Sequence, residues 1–221
     1  MLVLIDHHAD GLARVAAELA TPSLALAHDV ADESAWEASE AAIRERFGHL
    51  TQAVVNAGIG EGQPLINTTL ASWRRVMAVN LEGAMLTLRT ALRLMADGGA
   101  IVTVASVAGL KAEPGAGTYC ASKAALIHLT KVAAREATPR QIRVNAVCPG
   151  GVDTPIWGKQ AWFQALTSSK GSHEAALATM GKTTPLGRFT TAPEIADAIL
   201  ALLRAPNTTG AIHVIDGGYS L

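Results

Sequence analysis

Tyr119-Cys120-Ala121-Ser122-Lys123 places a phenol and an ammonium one helical turn apart, on the same face of a helix. A phenol has an ordinary pKa near ~10 and transfers protons poorly at neutral pH. A neighbouring cation favours the phenolate and lowers that pKa. Moving it down by ~3 units needs roughly 4 kcal/mol of differential interaction. Lys123 supplies part of that, and a positively charged cofactor ring would supply more. A Tyr-x-x-x-Lys pair alone is weak, because chance pairs at this spacing are common. Ser106 strengthens it: it closes the apolar run Ala100-Ile101-Val102-Thr103-Val104-Ala105, and a short Gly-containing loop leads from it to the Tyr-Lys helix. Serine is also a frequent strand-end turn residue. Here its hydroxyl could polarise a substrate oxygen. Ser106 has no obvious His or Asp partner in sequence order, which argues against a hydrolase triad.

These groups need elements to hold them. Short β-branched runs alternate with Ala/Leu-rich helical patterns, as in βαβ units. The spacing predicts strands over Leu2–Asp6, Ser23–Ala27, Thr51–Asn56, Ala100–Ser106, Ile142–Cys148 and Ala211–Ile215. It predicts helices over Ala9–Ala20, Glu33–Phe47, Leu70–Met95, Thr118–Ala137 and Pro193–Arg204. Asp10, Asp32 and Thr68 stand at or near helix starts, and Thr191 with Glu194 has the spacing of a capping box. From Pro155 to Thr184 the alternation stops. Trp157, Trp162, Phe163, Leu166 and Met180 sit there among polar residues and glycines. By itself this stretch reads as a surface helical excursion that buries its own apolar face.

The chain has 221 residues, enough for one α/β domain with a real core. Its formal net charge of -1 carries no nucleic-acid or anionic-membrane footprint. Cys120 and Cys148 form no CxxC or zinc pattern, so no metal site is expected. Reduced thiols in a cytoplasmic protein are the expectation. The apolar start is too short, and meets Asp6 too soon, for a signal peptide or membrane span.

With the Ser106, Tyr119 and Lys123 set, the chain resembles the short-chain dehydrogenase/reductase family along its whole length. Asn56-Ala57-Gly58 resembles the family's Asn-Ala-Gly loop, although Val55 stands where a second Asn is frequent. Val79-Asn80 resembles the segment with its catalytic Asn, and Asn145-Ala146-Val147-Cys148-Pro149-Gly150 with Val152 and Thr154 its cofactor loop. Asp216-Gly217-Gly218 resembles its C-terminal strand exit. The resemblance implies a Rossmann-like doubly wound parallel sheet and hydride transfer between a nicotinamide and a secondary alcohol or ketone. Tyr119 is then the acid/base, Lys123 tunes it and binds the nicotinamide ribose, Ser106 orients the oxygen, and Asn80 supports a proton relay. The alternative for Asn80 is a simple helix irregularity. Asn56, Ala57 and Gly58 would let backbone approach the cofactor; Pro149, Gly150, Val152 and Thr154 would hold its nicotinamide end. Asp29 and Val30 would line the adenine pocket, Asp29 being otherwise a loop acid. Asp6 would accept the adenosine ribose diol and repel a 2′-phosphate, favouring NAD over NADP. Alternatively, Asp6 is a turn residue or helix-entry cap. Residues 155–184 become a substrate lid, and the Leu70–Met95 and Tyr119 helices a homodimer or homotetramer interface.

One part of the family pattern has no match. No strand with a Gly-rich turn precedes Leu2-Val3-Leu4-Ile5-Asp6, which resembles the family's second strand. The run Gly58-Ile59-Gly60-Glu61-Gly62 reads as the tail of the Asn-Ala-Gly loop, since Pro64 follows and no long helix starts there. That turn normally binds the pyrophosphate, so NAD binding would be weak or absent without it. Several hundred Å² of lost apolar burial is worth on the order of 10 kcal/mol, comparable to a whole domain's stability. Compensation is therefore expected: Leu2–Ile5 pairing directly with Thr51–Val55, or a partner subunit covering the gap. Three readings follow: an oxidoreductase with weak or altered cofactor binding, a non-catalytic scaffold or oligomer subunit, or a natural protein longer than this sequence.

Overall fold

The structure is a computed structural model that describes residues 1–158 and 160–221. Six strands carry the short apolar runs: β1 Leu2–Asp6, β2 Ser23–Ala27, β3 Leu50–Val55, β4 Met95–Val104, β5 Arg143–Pro149 and β6 Ile212–Ile215. They form two parallel sheets, β1-β2 and β3-β4-β5-β6. Helices cover both faces of the larger sheet, the layering of a doubly wound α/β domain. On one face Val55, Ile101, Val144 and Cys148 pack against Leu88 and Ala91 of α4 (Ala84–Leu94) and Leu126, Ala133 and Ala134 of α5 (Gly117–Ala137). On the other, Ala100, Val102 and Val147 meet Leu202 and Leu203 of α8 (Ala192–Arg204).

Leu2–Ile5 does not pair with β3, against one of the expected compensations. β1 pairs instead with β2, in register from Leu2 with Ser23 to Asp6 with Ala27. The reason is packing. Ile5 lies against the buried cluster of Val30, Trp36 and Leu86, and moving β1 across to β3 would strip it from that cluster.

Capping explains most helix starts. Asp32 accepts from the Ser34 and Ala35 N–H groups and opens α2 (Glu33–Phe47). Thr191 and Glu194 form the complete capping box of α8. Asp10 and Thr68 stand near their helix starts, but the caps themselves are neighbours: the His8 ring caps α1 (Ala9–Glu18) and Thr69 caps α3 (Leu70–Met77). The helix expected over Leu70–Met95 is interrupted by a π-helical turn, Ala78–Gly83, and Met95 already belongs to β4. A π-turn inserts an extra residue and re-aims its side chains. Here it turns Asn80 into the interior. Beyond Thr154, α6 (Ala161–Lys170) and α7 (His173–Gly181) fold around Phe163, Ala176 and Leu177, with Trp157, Leu166, Met180 and Phe189 packed alongside. The stretch predicted as a lid includes Lys159, which lies outside the described residues.

Gly83 closes the joint between the small sheet and α4. A Cβ there would meet Val30 Cγ2 at 2.7 Å. Gly83→Ala is expected to destabilise the protein by about 1–3 kcal/mol through overpacking. Adding Val30→Ala should recover part of that loss. Urea unfolding of the two single variants and the double variant measures the coupling, and purely additive losses would show that the contact is unimportant.

Candidate active site

The predicted loop segments of the site lie at the C-terminal ends of parallel strands, whereas Asn80, Tyr119 and Lys123 are carried on helices. Asp6 ends β1, Asp29 and Val30 follow β2, and Asn56, Ala57 and Gly58 follow β3. Ser106 follows β4, and Pro149 ends β5 with Gly150 beyond it. This edge is where open α/β sheets bind ligands, because the loops diverge there.

Ser106, Tyr119 and Lys123 come together. Ser106 is buried; its Oγ accepts from Ala108 N–H at 3.1 Å and donates to the Pro149 carbonyl across 3.5 Å. The second bond is long enough to be exchanged for a substrate oxygen. Lys123 is buried and its Nζ donates to the Val104 carbonyl at 2.9 Å, 5.7 Å from the centroid of the Tyr119 ring. A Cβ on Gly58 would stand 3.3 Å from that Nζ and 3.4 Å from Asn80 Oδ1. The missing side chain thus leaves the Asn56–Gly58 loop in contact with the ammonium.

The electrostatics differ from the sequence argument. Lys123 was expected to lower the Tyr119 pKa. Instead, burial raises it, against a smaller downward pull from the Ser106 hydroxyl. Desolvation disfavours the phenolate, and the lysine gives its proton to Val104 rather than to the phenol. Burial also lowers Lys123, to about 8, against an opposing effect of nearby Cys148. It raises the Cys148 thiol to about 11, against smaller downward effects of Ser106 and Lys123. At neutral pH the site therefore holds a neutral phenol, a neutral thiol and a lysine close to its titration.

Asn80 is fully buried and its amide is fully used. Oδ1 accepts from Ile59 N–H at 2.8 Å; Nδ2 donates to the Ile59 carbonyl at 2.9 Å and to Ser122 Oγ at 3.1 Å. Ser122 Oγ in turn donates to the Tyr119 carbonyl. The side chain thus clamps the loop after β3 to α5 and makes no direct bond to Lys123. Sequence reasoning passed over several supporting residues. Ser122 is one. Gly109 is another, where a Cβ would come within 2.7 Å of the Lys123 main chain. Gln160 is a third: its Nε2 donates to the Gly60 carbonyl at 2.7 Å and its Oε1 accepts from Gly62 N–H at 3.1 Å. A glycine three residues after the strand-end Ser was the one signal available for Gly109.

The adenosine side is more open. Asp6 is exposed; its Oδ1 accepts from His8 N–H at 2.8 Å and lies 3.2 Å from His7 Nδ1. Asp29 is exposed and accepts from Ala31 N–H at 2.9 Å. Val30 is buried, and its carbonyl accepts from Trp36 Nε1 at 2.8 Å. Gly150 packs against Asp216, where a Cβ would fall 2.8 Å from the Asp216 Cβ. Val152 bridges to Thr190, and Thr154 leads extended into the turn Pro155–Trp157.

A nicotinamide dinucleotide is tested by these groups. Its two ends fit: Gly58, Tyr119 and Lys123 beside Pro149 at one, the open Asp6 carboxylate and Val30 at the other. Its middle does not. The helix that follows β1 has one of its first N–H groups, that of Gly11, taken by the His8 ring at 3.0 Å, which leaves fewer of them for a pyrophosphate. No group of His, Cys, Asp and Glu among the described residues could hold a metal ion.

Comparison with known proteins sharpens this. The model of the family described as Enoyl-(Acyl carrier protein) reductase matches residues 1–220. The inactive 2-(S)-hydroxypropyl-CoM dehydrogenase 2 of Xanthobacter autotrophicus is 37% identical over 98% of this chain and 94% of its own. The 3-oxoacyl-[acyl-carrier-protein] reductase of Bos taurus is 34% identical over 100% of this chain and 87% of its own. A short-chain type dehydrogenase/reductase from Mycobacterium marinum superposes with a TM-score of 0.83 at 32% identity, over 99% of this chain and 84% of its own.

The lysine yields a pH test. With a folded pKa of about 8, below its unfolded value, Lys123 costs stability in full below pH 8, and that cost shrinks as pH rises from 8 toward the ordinary lysine value. Lys123→Met should therefore be more stable than the natural protein at pH 7. Raising the pH to 10 should narrow the difference by roughly 2–3 kcal/mol. Thermal melts of both proteins across that range check the sign; a gap that stays constant would place the ammonium in a solvated site.

Proposed function

The chain belongs to the short-chain dehydrogenase/reductase family of oxidoreductases, and on that premise we propose that its site transfers a hydride between NAD and a secondary alcohol or ketone. The observation that carries the reading is the convergence of Ser106, Tyr119 and Lys123 at the strand ends, against a glycine that leaves Lys123 room for a ligand. In reduction the buried Ser106 hydroxyl donates to the carbonyl oxygen and fixes its place. Tyr119, kept neutral by burial, gives that oxygen its proton. The phenolate left behind is stabilised by the Lys123 ammonium, still charged at neutral pH with a pKa of about 8. Oxidation runs the same steps backward, with Tyr119 taking the proton. The nicotinamide, when bound, supplies or accepts the hydride. Asn80 acts through the Ile59 backbone, which it holds at both N–H and carbonyl.

Asp6 favours NAD: a carboxylate accepts a ribose diol and repels a 2′-phosphate. The cluster of Trp157, Phe163, Leu166 and Met180 supports a lid, expected over residues 155–184, above a substrate with an apolar portion. Met85 on α4 and Val132 on α5 stay exposed, which supports a homo-oligomer packed through those helices. A second reading, a non-catalytic scaffold, is favoured by one observation: the sheet is divided between β1 and β3, on the side where the pyrophosphate lacks a binding helix. No described helix is long and apolar enough to cross a membrane.

Titration of the purified chain with NADH, read by nucleotide fluorescence, separates the two. Saturable binding is expected, together with ketone-dependent oxidation that falls by roughly 10²–10⁴ in Tyr119→Phe while binding persists. No binding at millimolar NADH would leave the scaffold.

A further inference from the structure

Three alternate glycines, Gly58, Gly60 and Gly62, follow β3, and no helix opens among them. The residues between them are tied to the body of the domain. Ile59 is held at both its N–H and its carbonyl by Asn80. Glu61 accepts from the Ser72 hydroxyl and pairs with Arg75, both on α3. The glycines have different neighbours. A Cβ on Gly58 would meet Lys123 Nζ at 3.3 Å. One on Gly60 would meet Gln160 Nε2 at 3.2 Å and Ile156 Cδ1 at 3.9 Å, and one on Gly62 would meet Trp162 Nε1 at 3.1 Å. This is the two-residue alternation of an extended chain. Bare backbone is presented along one side, first to Lys123 and then to the segment that carries Gln160 and Trp162. The far end of the run is fixed as well: Gln63 N–H donates at 2.6 Å to the carbonyl of Gly115, shortly before Tyr119.

That segment belongs to a body of its own. α6 and α7 enclose Phe163, Ala176 and Leu177, a cluster that shares no residue with the two flanking the larger sheet. Among the described residues, both hydrogen bonds from this body to the glycine run come from one side chain. Gln160 Nε2 donates to the Gly60 carbonyl at 2.7 Å, and Oε1 accepts from Gly62 N–H at 3.1 Å. Gln160 is the N-cap residue of α6, yet its side chain caps nothing in that helix. Its amide pairs instead with backbone, as an adjacent strand would. Trp162 stands edge-on to Trp157, ring centroids 5.9 Å apart, and Trp157 Nε1 donates to the Val152 carbonyl.

We propose that Gln160 is a positioning residue, the latch of the lid. Its amide clips α6 and α7 onto the Gly60–Gly62 backbone, holds Ile156 and Trp162 as an apolar wall of the substrate entry, and releases to let substrate and product pass. That substrate passes here rests on the redox reading; the latch itself does not. Two hydrogen bonds, one of them exposed, open and re-form readily. A moving lid needs such a contact rather than a core merged with the domain. The run stays in place while the lid is away, because Asn80, Ser72 and Arg75 hold it from the other side. Glycine is needed at 60 and 62 because a methyl group would crowd the amide and the indole.

Amide exchange in the ligand-free protein and steady-state kinetics test the two parts separately. In Gln160→Leu the Gly62 amide should exchange roughly three- to tenfold faster, while the Ile59 amide, held by Asn80, is unchanged. Gly60→Ala should speed Gly62 exchange from the opposite side, and the double variant should add little to either. Gln164→Leu, which removes only a bond to the Gly158 carbonyl, should leave Gly62 exchange as it is. With NADH and a ketone, Gln160→Leu should raise KM several-fold with kcat unchanged or higher, since an unlatched lid holds substrate less well and frees product sooner. Gln160→Glu, which keeps the acceptor for Gly62 N–H, should fall between. Unchanged Gly62 exchange in Gln160→Leu overturns the latch, as does equal acceleration in Gln164→Leu. A lower kcat at constant KM overturns its part in passage. If the natural protein does not turn over, the redox reading falls and exchange alone decides the latch.

Discussion

A parallel sheet is stable only as a complete ladder, and this protein interrupts the ladder between β1 and β3. Each strand that is buried on both faces still carries N–H and C=O groups that need partners at its edges. The larger sheet meets that demand from β3 to β6 and folds its core around it. The smaller one is held to α4 by side chains: Ile5, Val30, Trp36 and Leu86 pack together, and Arg89 and Arg93 pair with Glu33 and Glu40 of α2. The constraint explains why β1 stays where it is: its packing on α4 can be satisfied only at one distance from β3. It also explains where apolar side chains remain exposed, since Val54 and its neighbours line the interrupted face.

The edge that carries the candidate site inherits its order from the intact sheet. Ser106 and Pro149 leave adjacent strands, β4 and β5, so their separation is fixed by one ladder spacing. α5 is anchored to the same two strands through Leu126 and its alanines, and Asn80 ties it to the loop after β3. Those parts need no contribution from β1. The side predicted to face the adenosine, by contrast, rests on the small sheet, and its Asp6 and Asp29 carboxylates are exposed and bound mainly to their own turns. One end of the cleft is therefore rigid and desolvated, and the other is open.

Much of this was legible in the residues. Alternating β-branched runs and Ala/Leu-rich helices marked all six strands, and Tyr119 with Lys123 marked one helical face. Asp32 and Thr191 announced their helices because an N-cap is a local interaction. Where the reading missed, the cause was tertiary. Nothing local distinguishes Thr68 from Thr69 as a cap. The π-turn exists because Asn80 finds Ile59, 21 residues away, and Gly83 makes room for Val30. The pairing of β1 was misjudged because the sequence shows which edges are apolar but not which helix already holds them. The direction of the Tyr119 shift was missed for the same reason: spacing locates the ammonium, whereas the depth of burial sets which force wins.

Burial acts on every ionisable group of the site in one sense, toward neutrality. It raises Tyr119 and Cys148 and lowers Lys123. In such a setting a phenolate can form only as a positive charge arrives or is retained beside it. Lys123 sits close enough to its titration to be the weaker of two possible sources, and a bound cationic ligand would be the stronger. A bound cation would also discourage the lysine proton, so the two charges compete for one desolvated space. A Tyr119 phenolate would then form more readily with a cation facing it than without one, which would couple proton transfer to ligand binding without any moving part. The coupling follows from desolvation alone, and it would persist in any variant that keeps Ser106, Tyr119 and Lys123 equally deep.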